Sequence, residues 1–119
     1  MSDFLGIHGT ALALREQRLQ VLAANLANAD TPGYQAQDLD FTAALRSALQ
    51  PAPGAGDAID SAAQGARVLR PSSQPSMDGN TVDSDRERAQ FAQATLEYRA
   101  SMSFVESKVR SMLTAITGQ

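Results

Sequence analysis

The sequence predicts an all-α fold in which long helices at the two ends of the chain pack as an antiparallel, coiled-coil-like hairpin around an irregular, partly disordered middle segment. Two observations predict it: apolar residues recur with heptad spacing at both ends, and every proline except Pro32 lies in the middle. The 119 residues fit a single domain. We divide residues 1–119 into an N-terminal helix and turn (1–33), an irregular segment (34–80) and a C-terminal helix (81–119).

The N-terminal helix is predicted from about Asp3 to Asn28, because this stretch lacks proline and is rich in good helix formers. Leucines recur every seven residues, supported by Leu22: Leu5, Leu12, Leu19 and Leu26. A second file, formed by Ile7, Leu14 and Val21, lies about 200° around the helix from the first. A hairpin partner can cover only one of these faces, so we expect a second apolar neighbour.

A turn is predicted directly after this helix, at Asp30-Thr31-Pro32-Gly33. Pro32 cannot continue a helix, and Gly33 suits the positive φ of a type II turn. Pro32 and Gly33 would therefore fix the direction in which the chain leaves the helix, and Tyr34 would follow as an aromatic anchor.

The segment from Tyr34 to about Asn80 reads as a flexible linker or a plain surface loop, because residues 50–56 and 70–76 are rich in proline, glycine and serine. One short amphipathic helix is predicted within it, from Asp40 to Leu49. Its apolar residues Phe41, Leu45 and Leu49 are spaced to share one face.

The C-terminal helix is predicted from Asp83 to Gly118. Ser84-Asp85-Arg86-Glu87 fits an S-x-x-E capping box, and Gly118 stands where a helix C-cap belongs. Two heptad files form one apolar stripe along it: Phe91, Thr95, Tyr98, Met102, Val105, Val109, Met112 and Ile116. Such a stripe is also compatible with an ordinary intramolecular bundle. Because a two-helix hairpin with a loose middle is marginally stable, we expect a partly disordered monomer that becomes ordered on assembly.

Composition excludes several classes of function. The net charge of −3 disfavours nucleic acid as a partner, and the lack of cysteine together with a single histidine excludes most metal sites and catalytic triads. We interpret His8 as a solvated or packing residue, and Asp38, Asp40, Asp83 and Asp85 as turn and helix N-terminal carboxylates. We therefore predict that the protein is not an enzyme, binds no metal or cofactor, and has no small-molecule substrate.

The N-terminus does not resemble a secretory leader, because it starts Met1-Ser2-Asp3 and carries no basic residue before Arg15. No apolar run approaches the roughly 18 residues that span a bilayer. If the protein leaves the cytoplasm, we expect a route that cleaves no signal peptide.

Residues 14–34 resemble the N-terminal signature of the bacterial flagellar rod, hook and filament-junction family. Its hallmark is an asparagine pair, here Asn25 and Asn28, followed by a Thr-Pro-Gly-Tyr turn, here residues 31–34. Residues 35–41 and 75–87 are similar to the proximal-rod branch of that family. Two positions depart from its pattern: Leu26 replaces a usual isoleucine, and Ser84 replaces a larger apolar residue.

The resemblance implies a structural subunit of the proximal rod of the flagellar basal body, which assembles helically through its terminal helices. It implies export through the flagellar type III apparatus without signal cleavage, and a place in the periplasmic rod. The implied partners are further copies of the chain, rod proteins of the FlgC, FlgF and FlgG type, a FliE-type adaptor and the export gate. A soluble adaptor or chaperone of a type III export system, which should be a stable dimer, is the alternative.

The candidate assembly residues combine the heptad files with the turn. They are Leu5, Leu12, Leu19, Leu22, Asn25, Leu26, Asn28, Thr31, Pro32, Gly33, Tyr34, Phe91, Tyr98, Met102, Val105, Val109, Met112 and Ile116. Asn25 and Asn28 lie one helical turn apart and are candidates to hydrogen-bond backbone at a subunit boundary. The alternative is that they only supply polarity at a fraying helix end.

Overall fold

The computed structural model describes residues 2–50, 58–69 and 82–118. Within them the chain forms mainly helices, as predicted, together with a two-stranded sheet that the sequence analysis did not anticipate. In chain order the elements are α1 (Ser2–Ala27), β1 (Gln37–Leu39), α2 (Phe41–Leu49), α3 (Ala58–Gly65), β2 (Arg67–Leu69) and α4 (Ser84–Thr117).

Helices α1 and α4 lie side by side and antiparallel, which confirms the predicted hairpin. The His8 and Phe104 rings are 4.8 Å apart, and Arg15 Nη1 lies 3.0 Å from Glu97 Oε2, so rising numbers on α1 meet falling numbers on α4. Continuing this register places Ser2 level with Arg110. Residues 111–117 of α4 therefore extend about 10 Å beyond the described start of α1.

Both ends of α4 carry a cap, but the predicted N-terminal capping box is wrong. Asp83, not Ser84, is the N-cap, and its carboxylate accepts a 3.3 Å hydrogen bond from the Arg86 backbone N–H. Glu87 does not take part in the cap, because it is buried against α1. Gly118 has a φ of +75° and its N–H donates to Thr114 O, which confirms the C-cap.

The turn after α1 has the predicted geometry. The Tyr34 N–H donates to Thr31 O at 3.3 Å, and Gly33, the third residue of the turn, has a φ of +76°. This is a type II turn, in which glycine is favoured at the third position.

The described part of the middle segment, residues 34–50 and 58–69, contains more regular elements than the single helix that we predicted. The expected short helix is present as α2, capped by Asp40, whose carboxylate accepts from the Ala43 N–H at 3.1 Å. Helix α3 and an antiparallel pairing of β1 with β2, in which Asp38 lies opposite Val68, were not predicted. Residues 51–57 and 70–81, which hold most of the predicted Pro- and Gly-rich stretches, lie outside the described residues.

The apolar core lies between α1 and this middle segment. Leu14 of α1 is fully buried, and its cluster contains Leu39, Ala44, Ala63 and Ala66, with Phe41, Leu45, Ala48 and Ile59 packed against it. The second apolar neighbour that we expected for α1 is therefore supplied at Leu14 by the same chain. Near the N-terminus Ile7, in the same heptad file, remains 43% exposed.

Candidate functional site

The predicted assembly residues fall into two groups in the structure. Leu22 and Asn25 are fully buried, whereas the four heptad leucines of α1 are only partly buried. On α4, one file of the predicted stripe is half-buried: Phe91, Tyr98, Val105 and Met112. The other file becomes progressively more open towards the C-terminus, from half-buried Thr95 through Met102 and Val109 to Ile116, which is 79% exposed.

The surface that α4 turns towards α1 is largely polar. Its residues follow the three-and-four spacing of a helix face: Glu87, Gln90, Ala94, Glu97 and Ser101. Ala94 is buried, and Glu87, Gln90 and Glu97 all hydrogen-bond to side chains of α1. The predicted apolar stripe therefore lies beside this polar seam and not at its centre. Sequence reasoning missed the seam because it followed the spacing of apolar residues alone.

Arg18 is the centre of the polar seam. Its Nε donates to Asp38 Oδ1 at 3.0 Å and its Nη2 donates to Gln90 Oε1 at 3.1 Å, while Nη1 lies 3.5 Å from Glu97. Arg15 forms a shorter ion pair with Glu97 and stacks on the Phe41 ring, 4.4 Å from its centroid. Arg18 of α1 therefore binds both α4, through Gln90, and β1, through Asp38.

Asn25 uses its full hydrogen-bonding capacity inside the chain. Its Nδ2 donates to Gln37 O at 2.6 Å and to Glu87 Oε2 at 3.1 Å, and its Oδ1 accepts from the Gln37 N–H at 3.1 Å and from the Tyr34 hydroxyl at 3.3 Å. The backbone that Asn25 binds here is that of its own chain, in β1. A role for Asn25 at a subunit boundary stays a prediction.

The other residues of the asparagine and Thr-Pro-Gly-Tyr motif, Asn28 and residues 31–34, lie at or near the surface. Asn28 donates to Ala24 O at 2.8 Å and accepts from the Thr31 hydroxyl at 3.0 Å, so the pair closes the end of α1. Thr31, Pro32 and Gly33 are exposed, and Tyr34 is half-buried with its hydroxyl on Asn25.

An open apolar groove of about 440 Å³ lies between α1, α2 and α4. Its walls include Ile7, Ala11, Arg15, Phe41, Leu45 and Phe104. Ile7 and Phe104 are both more than two-fifths exposed, so large apolar side chains face solvent here. We refer to it as the α1–α2–α4 groove.

Asp40, Asp83 and Asp85 lie at helix N-termini as predicted, but the prediction is wrong for Asp38, which lies in β1 and pairs with Arg18. Asp40 and Asp83 cap helices, and His8 packs against Phe104. Among residues 2–50, 58–69 and 82–118, no cluster of three or more potential metal ligands occurs. In the same part of the chain, no helix has the length and apolar character needed to cross a bilayer.

Residues 5–35 match the model of a family described as "Flagella basal body rod protein". Over 120 residues the chain is 42% identical to the flagellar basal body rod protein FlgB of Escherichia coli (strain K12), covering 89% of this chain and 87% of that protein. It is 42% identical over 123 residues to FlgB of Aeromonas hydrophila, covering 96% and 92%. With FlgB of Cereibacter sphaeroides the identity is 40% over 123 residues, covering 98% and 96%.

Proposed function

The chain belongs to the FlgB family of flagellar basal body rod proteins, and from that membership we propose how it assembles. It is a structural subunit of the basal body rod and not an enzyme. In our proposal it occupies the proximal rod and joins a helical array through its terminal helices. The relatives described above are rod proteins, and none of them is an export adaptor or chaperone.

One observation carries this proposal: the outer file of the α4 stripe is open to solvent. Met102, Val109 and Ile116 are 37%, 39% and 79% exposed, and they lie along one side of a hairpin whose own seam is polar. Burying apolar surface contributes roughly 25 cal/mol per Å², so a row of this kind favours contact with another apolar surface. The hairpin leaves this row available to neighbouring subunits.

The second step concerns symmetry. Contact of the exposed row with the same row of a second copy would be isologous and would close into a dimer. Because the relatives described above are rod proteins, we propose that the row meets a different surface of its neighbour. A contact between two different surfaces is heterologous, and repeated heterologous contacts build rings or helical arrays. This agrees with assembly into a rod.

The proposed partners and location are based on the resemblance of residues 35–41 and 75–87 to the proximal-rod branch. We propose that the neighbours are rod proteins of the FlgC, FlgF and FlgG type and a FliE-type adaptor next to the export gate. We further propose that the chain reaches the periplasmic rod through the flagellar type III apparatus without cleavage of a signal peptide.

The test places a charge on the exposed row in the bacterium that encodes the protein. Val109→Asp should leave synthesis intact but abolish swimming and remove the protein from purified basal bodies, because a carboxylate cannot be buried cheaply in an apolar contact. Ser107→Asp is the matched control, since it adds the same charge to an exposed position on the opposite side of α4. Basal bodies that lack the unmodified protein, or normal swimming of Val109→Asp, would refute the proposal.

A further inference from the structure

Helix α4 contains a short repeat with a period of eleven residues. An arginine is followed by a small residue, then by any residue, then by a large apolar one, and this occurs three times: Arg88-Ala89-Gln90-Phe91, Arg99-Ala100-Ser101-Met102 and Arg110-Ser111-Met112-Leu113. Eleven residues advance about 16.5 Å and come within about 20° of three whole turns, so the three copies lie in line along one side of the helix. We call Arg88, Arg99 and Arg110 the arginine row.

The arginine row has no partner within the part of the chain that the structure describes. All three arginines are exposed, and none of their guanidinium groups forms an ion pair or a hydrogen bond there. The apolar side chains of the repeat open towards the C-terminus, because Phe91 is half-buried whereas Met102 and Leu113 are 37% and 56% exposed. The row is therefore available to a partner outside the molecule.

Two carboxylates lie on the same side of α4 and do not neutralise the arginine row. Glu106 lies between Arg99 and Arg110, and Asp85 lies three residues before Arg88, yet neither acid forms an ion pair among the described side chains. Three arginines against two acids leave this side with a net positive charge. Two acids also cannot face three arginines if the α4 helices of two copies pack together.

The pattern defines the chemistry of a partner that fits. Charges across an interface are arranged with opposite signs, and a guanidinium pairs specifically with a carboxylate. The partner must therefore place carboxylates about 16.5 Å apart, beside apolar side chains that cover Met102 and Leu113. A straight helix with Asp or Glu at every eleventh position meets both conditions.

None of the described helices of the chain has this pattern. The sequence of α1 contains two carboxylates, Asp3 and Glu16, which are thirteen residues apart and so lie on different sides of that helix. Helix α2 contains no acidic residue, and α3 is only eight residues long. The remaining acids of α4, Glu87 and Glu97, are bound to side chains of α1. The complementary helix therefore belongs to a different protein.

We infer that the arginine row of α4 binds a helix of a different protein, which carries carboxylates at eleven-residue spacing beside an apolar stripe. This inference rests on the proposed function, because it gives the chemistry of one neighbour of the chain in the rod. The apolar side chains supply contact area, and the arginines select the partner and its register. Exposed ion pairs contribute little stability, but like charges placed opposite each other strongly disfavour a wrong partner.

Zero-length cross-linking identifies the group that meets the arginine row. Arg99→Lys keeps the positive charge and introduces an amine, and a carbodiimide joins that amine to a contacting carboxylate as an amide with loss of water. The natural chain contains one lysine, Lys108, so a new product is easily assigned. Ser111→Lys is the matched control, since Ser111 is exposed and lies roughly 100–140° around α4 from the row.

In purified basal bodies we expect severalfold more cross-linked product with Arg99→Lys than with Ser111→Lys. Mass spectrometry should find residue 99 joined to an Asp or Glu of a different protein. Arg88→Lys and Arg110→Lys should then be joined to carboxylates of that same protein, eleven residues to either side of the first. A carboxylate of a second copy of this chain, another spacing, or equal yields from Arg99→Lys and Ser111→Lys would overturn the inference.

Charge reversal tests whether the contact is needed for assembly. Arg99→Glu should lower the amount of the protein in basal bodies severalfold, because it places a carboxylate opposite the partner's carboxylate, whereas Arg99→Lys should keep that amount. Arg86→Glu is the matched control, since Arg86 is exposed on the opposite side of α4. Circular dichroism should show the same helix content for all three variants. Equal amounts of Arg99→Glu and Arg86→Glu in basal bodies would also contradict the inference.

The inference and the proposed function fail in different measurements. If the protein is present in basal bodies but Arg99→Lys gives no more product than Ser111→Lys, the inference is wrong and the function stands. If the protein is absent from basal bodies, the function is wrong, and the cross-linking is repeated in permeabilised cells. A product there with carboxylates of a different protein at eleven-residue spacing keeps the inference, and its absence refutes it.

Discussion

Asn25 and Glu87 share a 3.1 Å hydrogen bond at a point where neither side chain is more than 1% exposed to solvent. The bond joins α1 to the first turn of α4. The same asparagine holds the backbone of Gln37 and the Tyr34 hydroxyl, so one amide connects both long helices to the chain that follows the turn.

We predict that Asn25→Ala lowers the free energy of unfolding by about 2–3 kcal/mol, because it removes buried hydrogen bonds to the Glu87 carboxylate and to the Gln37 backbone. Asn28→Ala is the matched control. Its hydrogen bonds are exposed, so the expected loss is below about 1 kcal/mol. Urea denaturation followed by circular dichroism measures both. Equal losses of unfolding free energy for the two variants would show that the buried hydrogen bonds of Asn25 contribute no more to stability than the exposed ones of Asn28.

Gly33→Val should strain the turn, since Gly33 has a φ of +76° and a β-branched residue at positive φ costs at least about 1–2 kcal/mol. We expect loss of rod assembly and swimming with synthesis intact. Gly9→Ala is the control: a Cβ at Gly9 meets no atom within 4 Å, and alanine should stabilise α1 by about 0.5–1 kcal/mol. Immunoblots and swimming assays follow both variants. Normal swimming by Gly33→Val would show that rod assembly does not require the positive φ at Gly33.

The pair formed by Arg18 and Asp38 should show a coupling energy of about 0.5–1 kcal/mol in a double-mutant cycle with Arg18→Met and Asp38→Asn. Both side chains keep some contact with water, at 16% and 22% exposure, so added salt should reduce the coupling. The cycle is measured by urea denaturation at low and high salt. Coupling that is zero at low salt would mean that this ion pair does not hold β1 to α1.

Leu14→Ala and Leu113→Ala should differ strongly in their effect on the free energy of unfolding. Leu14 is fully buried under the chain's own middle segment, so its truncation should cost about 2–5 kcal/mol in the isolated protein. Leu113 is 56% exposed, so its truncation should change stability by less than about 0.5 kcal/mol. Denaturation of the purified variants is the measurement. A large loss with Leu113→Ala would show that this side chain is packed in the isolated protein.

The sequence predicted those elements that local signals determine. Both long helices, the type II turn at Gly33 and the cap at Gly118 depend on helix propensity, proline and glycine, which act within a few residues. Helix α3 packs on Leu14 and Leu39, and β2 pairs with β1. These partners lie far away in the chain, so no local pattern identified α3 or the strands.

The sequence predicted the apolar residues of the candidate site but not its polar seam. The heptad rule locates apolar residues, but the seam between α1 and α4 is made by Arg15, Arg18, Gln90 and Glu97, which the rule ignores. Glu87 shows the same difficulty. Its sequence position fits a capping box, and only the folded chain shows that Asn25 binds its carboxylate while Asp83 caps the helix.

The two ends of the α1–α4 pair differ. At one end the described pair finishes in the exposed last turns of α4, and at the other α1 runs into a tight turn beside the start of α4. A subunit in the reversed orientation would present a different end to its neighbour. Any filament built from such pieces has a direction, so its growing end and its anchored end present different faces.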